Sequence, residues 1–174
     1  MTDTPAARPQ DDVDRALIAA VQADGRATLA KLAETIRLSV SATRSRLRSL
    51  EEHGVIRDYR ARVEPEALGY TLRAIVRMKV HGSLYDKVAA ILDREPQIVR
   101  CLRVTGESCY VMEIVATGMS DLERITSELA RVGSITTDLV YEIVVDRPTP
   151  LPGAPRRVAR ATGEGADKPA KEAL

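Results

Sequence analysis

The chain has 174 residues, of which 44% are hydrophobic and 29% charged, enough for the core of one full-sized domain or two small ones. Its net charge is +1. It contains five Tyr but no Phe and no Trp, which argues against aromatic platforms for single-stranded nucleic acid. No apolar run approaches the roughly 18 residues of a membrane span, the polar N-terminus is unlike a signal peptide, and two cysteines form no disulfide framework. We therefore expect a cytoplasmic protein.

The N-terminal part predicts three helices after a flexible tail at residues 1–10. Apolar residues recur at helical spacing over residues 13–21, and Thr28 can cap a second short helix. Ser39 can cap a third helix, which ends at Gly54. Only Arg37 and Leu38 separate the second helix from Ser39, and so short a connection is typical of a helix-turn-helix.

Positive charge is concentrated around this predicted helix-turn-helix. Residues 37–62 hold seven basic and three acidic side chains, whereas residues 1–36 hold four and six. A basic block beside an acidic one is typical of a surface that binds a polyanion, although a solvated charged surface is the alternative. We expect an extended wing after Gly54 and a linker strand at 61–72.

The third helix offers the side chains that a recognition helix needs. Short hydroxyls near its N-terminus can reach base edges in the major groove, and arginine can hold guanine O6 and N7 with two hydrogen bonds. Arginines on the wing would contact phosphates. Residues 11–60 thus form a predicted winged helix-turn-helix that binds double-stranded DNA. The predicted DNA contacts are Ser39, Ser41, Ala42, Arg44, Ser45, Arg48, Arg57, Arg60 and Arg62.

Residues 73–146 alternate strand and helix patterns in the order strand–helix–strand–strand–helix–strand, the split ferredoxin-like arrangement. The predicted fold class is therefore α+β, with a winged helix-turn-helix followed by this βαββαβ domain. Residues 105–108 form the hairpin turn if Val104 lies opposite Cys109. Cys101 then lies opposite Met112 and points to the other sheet face from Cys109, so we expect both thiols to be free.

Both faces of the predicted sheet look largely apolar, which predicts a partner for the face that the helices leave uncovered. The last strand, expected over residues 134–145, alternates apolar residues on both sides. We therefore expect a homodimer that packs sheet against sheet. Residues 147–174 hold five of the nine prolines and almost no large apolar side chains, so we expect a disordered, basic, Pro/Ala-rich tail.

Three stretches carry a resemblance to a known family. The runs DDVDR from Asp11 and DGR from Asp24, the run LAETIRLSVSATRSRLRSLEEHGVIRDYRARVEPEALGY from Leu32, and the run VRCLRVTGESCYVMEIVA from Val99 resemble the Lrp/AsnC (feast/famine) regulators. The resemblance implies a transcriptional regulator whose dimers assemble into tetramers or octamers. It also implies that the second domain is the family's RAM domain, which senses an amino acid or a related small metabolite.

The resemblance further implies an effector site on two segments of the RAM domain. These are Thr105, Gly106, Glu107, Ser108, Cys109 and Tyr110 in the hairpin turn, and Thr136, Thr137 and Asp138 in the last strand. Cys109 stands where the family has an aspartate, so we expect a weak response to ordinary amino acids. Arg37 stands where the family has a glycine; if that position is left-handed, arginine costs about 1 kcal/mol.

Two other functions compete with effector-controlled regulation. An architectural protein would bind DNA broadly without an effector, and some haem-pathway decarboxylases share the same two-domain build. The sequence holds no Walker A, G-x-G-x-x-G or G-x-S-x-G pattern and no metal-ligand spacing of its two His with the cysteines. We therefore expect no enzyme, and no catalytic residue, metal or cofactor.

Overall fold

The computed structural model describes residues 11–152, and these fall into two units. Among the described residues, one unit holds 11–58 together with 147–152, and the other is Tyr59–Asp146. The predicted tail at 1–10 and most of the one at 147–174 lie outside the described residues. No described helix is long and apolar enough to cross a membrane.

The first unit is a three-helix domain whose helices each begin at a side-chain cap. The helices are α1 (Asp12–Ala23), α2 (Leu29–Ile36) and α3 (Val40–Glu52). The caps are supplied by Asp11, Thr28 and Ser39, whose side-chain oxygens accept hydrogen bonds of 2.8, 3.2 and 3.2 Å from backbone N–H groups three residues on. The predicted caps at Thr28 and Ser39 are confirmed, so local sequence determines where the second and third helices start.

A small apolar cluster holds the three helices together. It is formed by Leu17, Ile18, Leu32, Ile36 and Leu50. Thr43 of α3 is fully buried, and its hydroxyl donates a 2.9 Å hydrogen bond to the Ser39 carbonyl, so the buried polar group is satisfied. Ala33 is also buried, which permits α2 to lie close to its neighbours.

The turn between α2 and α3 passes through a left-handed residue. Arg37 has φ 55° and ψ 47°, and the Leu38 N–H closes the end of α2 by donating to the Ala33 carbonyl at 3.0 Å. This left-handed conformation is the one in which we expect arginine to be strained. Arginine therefore occupies a conformation that glycine adopts at lower cost.

The connection between the units differs from the predicted wing and linker strand. Residues 57–71 contain no strand, and Pro65–Leu68 form a 3-10 helix. Pro65 has no N–H to donate to a sheet and its φ is fixed, which suits the first turn of a helix rather than a strand. The linker strand predicted at 61–72 is therefore wrong up to residue 71, and the segment predicted as an extended wing after Gly54 contains no strand.

The second unit is a four-stranded antiparallel sheet with two helices. Its elements are β1 (Leu72–Val80), α4 (Tyr85–Arg94), β2 (Ile98–Arg103), β3 (Tyr110–Ala116), α5 (Met119–Ala130) and β4 (Gly133–Leu139). The strand order is β2-β3-β1-β4, which confirms the ferredoxin-like α+β prediction. The core includes Val76, Met112 and Ile114 of the sheet and Val88 and Ile125 of the helices, all fully buried.

The predicted hairpin register is confirmed with one exception. Cys101 pairs with Met112, and the Val104 N–H donates to the Cys109 carbonyl at 2.9 Å. The exception is Ile114, which pairs with Ile98 although the register set by Cys101 and Met112 would place Val99 opposite it, because β2 contains a bulge between Ile98 and Arg100. This bulge leaves the Val99 side chain exposed.

The last strand is shorter than predicted. It ends at Leu139, which pairs with Ala74 near the beginning of β1, and one further hydrogen bond follows, from the Val140 N–H to the Arg73 carbonyl at 2.8 Å. The remaining segment is rich in exposed apolar side chains. These are Leu139, Tyr141, Ile143, Val144 and Val145, of which Tyr141 is fully exposed and Val144 is 82% exposed.

The helix-free face of the sheet is more charged than the sequence suggested. Arg73 lies 3.5 Å from Glu113, and Arg77 lies 2.7 Å from Asp138, so ion pairs join β1 to β3 and to β4. The expectation of a largely apolar second face is therefore wrong for the strands themselves. Exposed apolar surface is concentrated instead in residues 139–145.

Both cysteines are free thiols, as expected, but they do not point to opposite faces of the sheet. Cys101 and Cys109 both pack against the core beneath the helices. Cys109 lies just before β3 begins at Tyr110, so the side-chain alternation of a strand does not apply to it. Burial raises the pKa of the Cys101 thiol, which keeps it protonated at neutral pH.

A polar network at the beginning of α5 joins the two helices to the sheet. The Asp121 carboxylate accepts hydrogen bonds from the Gln97 side chain at 2.6 Å and from the Thr117 N–H at 3.1 Å. The Arg124 guanidinium binds both oxygens of Glu95, at 2.6 and 2.9 Å. The hydrogen bond from Gln97, with those from Thr117, holds the pKa of Asp121 below its ordinary value of 3.8.

We expect Asp121→Asn to lower the stability of the protein by about 1 kcal/mol near neutral pH, because charge-assisted hydrogen bonds are removed. A lowered pKa in the folded state means that the ionised carboxylate stabilises the protein above about pH 4 and stops doing so as the pH falls through that lowered pKa. Urea unfolding between pH 7 and 2.5 should therefore show the gap between the two proteins closing in acid.

Glu123→Gln, an exposed change on the same helix, is the control for that titration and should behave as the native protein does at every pH. A gap between native protein and Asp121→Asn that stays constant across this range would contradict the assignment.

Residues 147–152 lie along α1 rather than being disordered as predicted. The Arg15 guanidinium donates to the Pro152 carbonyl at 3.2 Å, and the Gln22 side chain donates to the Thr149 carbonyl at 3.1 Å. Leu151 packs against the apolar cluster of the three helices. Residues 147–152 are thus held to the first unit because Leu151 buries its apolar side chain there.

Candidate nucleic-acid and effector sites

One face of α3 is exposed and carries hydroxyls and arginines at helical spacing. Ser41, Arg44, Ser45 and Arg48 are exposed, whereas Ala42 is half-buried. These four exposed residues recur at intervals of three and four, so they share one face of the helix. The structure therefore brings the predicted helix residues together on a single surface, with Ser39 at its N-terminal end.

Arg46, on the same helix, is half-buried and pairs with α1 instead. Its guanidinium lies 2.8 Å from carboxylate oxygens of both Asp11 and Asp14, which tie α3 to the beginning of α1. The Asp14 N–H and the Arg46 guanidinium hold the pKa of Asp11 below its usual value. Arg46 is thus committed to the fold, consistent with its absence from the predicted DNA contacts.

The two exposed arginines of α3 differ in their surroundings. Arg48 donates to Glu52 at 2.7 Å, one turn further along the helix. No carboxylate pairs with Arg44 among residues 11–152. Arg44 therefore presents an uncompensated positive charge, whereas a ligand must compete with Glu52 for Arg48.

The three predicted wing arginines are divided between the two units. Arg57 is exposed and belongs to the first unit, whereas Arg60 and Arg62 belong to the second. The Arg62 guanidinium is paired with Asp146. Arg62 and Asp146 are 84 residues apart in the chain, so local sequence patterns cannot predict their ion pair.

The hairpin turn of the predicted effector site is fixed to the end of β1. Gly106 has φ 109°, which favours glycine in this turn. The Cys109 N–H donates to the Met78 carbonyl at 2.8 Å. Behind the turn, Tyr85 of α4 lies with its ring centre 6.3 Å from that of Tyr110, and the Arg103 guanidinium lies 4.9 Å above the Tyr85 ring. This packing gives the turn a rigid support.

The second segment of the predicted effector site alternates between the two faces of the sheet. Thr136 pairs directly with Arg77 on the helix-free face, and the Asp138 carboxylate is held there by the Arg77 guanidinium at 2.7 Å. Thr137 pairs with the core residue Val76 and lies on the helix-covered side. Because Cys109 and Tyr110 also pack on the helix-covered side, one chain does not place them around a common space with Thr136 and Asp138.

A cleft that the sequence did not predict lies within the second unit. It has a volume of about 550 Å³ and opens between the connection preceding β1 and the segment after β4. Arg62, Tyr70, Arg73, Tyr141 and Glu142 are among its lining residues, and none of the predicted effector residues is. No group of three His, Cys, Asp or Glu side chains that could hold a metal ion occurs within the described part of the chain.

The fold and the α3 surface together define a helix-turn-helix DNA-binding regulator with a second, ferredoxin-like domain. A family model for the Lrp/AsnC ligand binding domain matches residues 73–150, and one for winged helix-turn-helix DNA-binding domains matches residues 10–57. The chain belongs to the Lrp/AsnC family of transcriptional regulators.

Curated relatives and solved structures agree with this assignment. The HTH-type transcriptional regulator LrpA of Mycobacterium tuberculosis is 38% identical over 128 residues, which are 73% of this chain and 85% of that protein. FL11 of Pyrococcus horikoshii is 35% identical over 73% of this chain and 82% of its own length. A feast or famine regulatory protein from M. tuberculosis, complexed with L-methionine, superposes with a TM-score of 0.77 at 33% identity, covering 83% of this chain and all of that one.

Proposed function

We propose that this regulator binds its operator through the exposed face of α3, which lies in the major groove. Arg44 and Arg48 would contact base edges. The further proposed contacts of this helix are Ser39, Ser41, Ala42 and Ser45. The observation that carries the proposal is the uncompensated guanidinium of Arg44 on a face of serines and arginines. Arg57 suits a phosphate contact because it is exposed in the same unit. Arg60 and Arg62 remain weaker candidates for phosphate contacts.

The proposed working form is a cytoplasmic homodimer that assembles further into tetramers or octamers. Support comes from the exposed apolar side chains of residues 139–145, since burying each large one against a second copy contributes about 1.5–3 kcal/mol. Two copies also supply two recognition helices, as an operator with two half-sites requires.

The proposed effector is an amino acid or a related small metabolite bound at the hairpin turn. The relative from M. tuberculosis is described as a complex with L-methionine, and so is a transcriptional regulator from Neisseria meningitidis with a TM-score of 0.77 at 25% identity. Since Cys109 and Tyr110 lie on the helix-covered side of the sheet and Thr136 and Asp138 on the helix-free side, a pocket that all four share needs a second chain. This requirement supports a site between subunits.

We expect Cys109→Asp to bind L-methionine roughly tenfold more tightly than the native protein. A buried ammonium needs an acidic partner, a charged hydrogen bond of this kind contributes about 1.5–3 kcal/mol, and Asp138 is already engaged by Arg77. Titration calorimetry on both proteins measures the difference, with circular dichroism to check folding.

Ser108→Asp is the matched control for that titration, because it adds the same charge one residue away. Native protein that binds L-methionine as tightly as Cys109→Asp would show that the missing aspartate is unimportant.

Footprinting at physiological salt tests regulation against architectural binding. We expect protection of discrete half-sites about one helical turn apart. Continuous coating of the duplex would favour the architectural alternative, since clustered basic residues bind DNA without sequence preference. The relatives are named as transcriptional regulators, and we propose that this chain likewise has no enzymatic activity; a haem-pathway decarboxylase would convert its substrate without DNA.

A further inference from the structure

We infer that Arg37, in the turn between α2 and α3, contacts a phosphate of the bound duplex and so adds to DNA affinity independently of sequence. The inference rests on the proposed placement of α3 in the major groove. Among residues 11–152, Arg37 is the one residue other than glycine with a positive φ, 55°. A residue with a side chain is strained in this left-handed conformation, and such strained residues are frequent at functional sites.

Nothing inside the described part of the protein uses the Arg37 side chain. The residue is exposed, and its guanidinium has no hydrogen-bond or ion-pair partner there. The acid nearest along the chain, Glu34, is taken by Lys31 at 2.8 Å, and this ion pair lowers the pKa of Glu34. The guanidinium therefore does not offset the backbone strain within the fold.

The position of Arg37 suits a phosphate rather than a base. It lies two residues before Ser39, the cap of α3, so it flanks the N-terminal end of the proposed recognition helix. When the second helix of this motif lies in the major groove, the first helix crosses the phosphate backbone, and the turn between them lies beside the strand that borders the groove. Arginine can hold a phosphate with two parallel hydrogen bonds, whereas the glycine or asparagine that the backbone prefers cannot.

The inference predicts that stability and DNA affinity change in opposite directions at this position. Arg37→Gly should raise the melting temperature by roughly 2–4 °C because the left-handed strain is relieved. The same change should weaken binding to operator and to unrelated duplex alike, by roughly tenfold at a fixed salt concentration. The slope of log K against log salt should become shallower by about 0.9, the change that follows when the protein neutralises one phosphate fewer.

The test uses the full chain with three variants at this position, titrated into both duplexes by fluorescence anisotropy across a salt series. Arg37→Asn removes the charge while tolerating the left-handed backbone, so it should match Arg37→Gly in affinity. Arg37→Lys keeps the charge but loses the two parallel hydrogen bonds, so it should keep the native salt slope and have an affinity between those of the native protein and Arg37→Gly. Lys87→Gln removes one exposed positive charge from the second unit and should leave affinity unchanged.

Native affinity and native salt slope in both Arg37→Gly and Arg37→Asn would overturn the inference. Arg44→Ala, measured beside them, separates it from the proposed function. If Arg44→Ala weakens operator binding and the Arg37 variants do not, only the phosphate contact is wrong. If none of them weakens binding, the placement of α3 in the groove is wrong as well, and the inference fails with it.

Discussion

Arg44→Ala should weaken operator binding by about 1–3 kcal/mol, roughly a five- to 150-fold rise in Kd, and should relax base preference at one position of each half-site. The physical reason is that Arg44 is exposed and meets no carboxylate among the described residues, so its full hydrogen-bonding capacity faces outward. Arg48→Ala should cost less, because part of the gain from a DNA contact is offset by giving up the 2.7 Å pair with Glu52.

Binding assays on a panel of operators, each with a single base pair changed, measure both effects. Glu52→Gln is the matched control, since it frees Arg48 without adding or removing a basic group and should slightly strengthen binding. Unchanged affinity in both Arg44→Ala and Arg48→Ala would show that another surface reads the operator.

Val144→Asp should break the dimer, raising its dissociation constant by at least about 100-fold. Val144 is 82% exposed in the chain, within the apolar segment that follows β4. If this segment packs against a second copy, the substitution buries an unpaired carboxylate, which costs about 3–5 kcal/mol. Ile143→Asp tests the neighbouring position, where the side chain is 46% exposed.

Sedimentation or light scattering over a concentration series measures the assembly. Met119→Asp is the matched control, because it places the same charge on an exposed apolar residue of α5, outside the segment. Native assembly in both Val144→Asp and Ile143→Asp would place the subunit interface elsewhere.

Features that depend on local sequence were the ones that could be predicted. The caps at Thr28 and Ser39 and most of the hairpin register follow from side chains within a few positions of each other. Each rests on one backbone geometry that few residue types satisfy, so the pattern in the sequence is specific.

Features that depend on distant partners could not be predicted. The pairing of Arg77 with Asp138 needs β1 to lie beside β4, and that of Arg62 with Asp146 joins the two ends of the second unit. The apolar character of the helix-free face was overestimated because Arg73 and Arg77 of the central strand β1 lie on that face, beside Glu113 of β3 and Asp138 of β4. The order of strands thus decides what a face displays.

The bulge at Val99 affects whether copies of this protein can aggregate through the exposed edge of the sheet. In the strand order β2-β3-β1-β4, β2 is an edge strand, and unpaired N–H and C=O groups on an edge can recruit a strand from another molecule. The bulge bends this six-residue strand, and Arg100 and Arg103 place exposed charges along it. This edge of the sheet is thereby protected from open-ended, strand-to-strand aggregation.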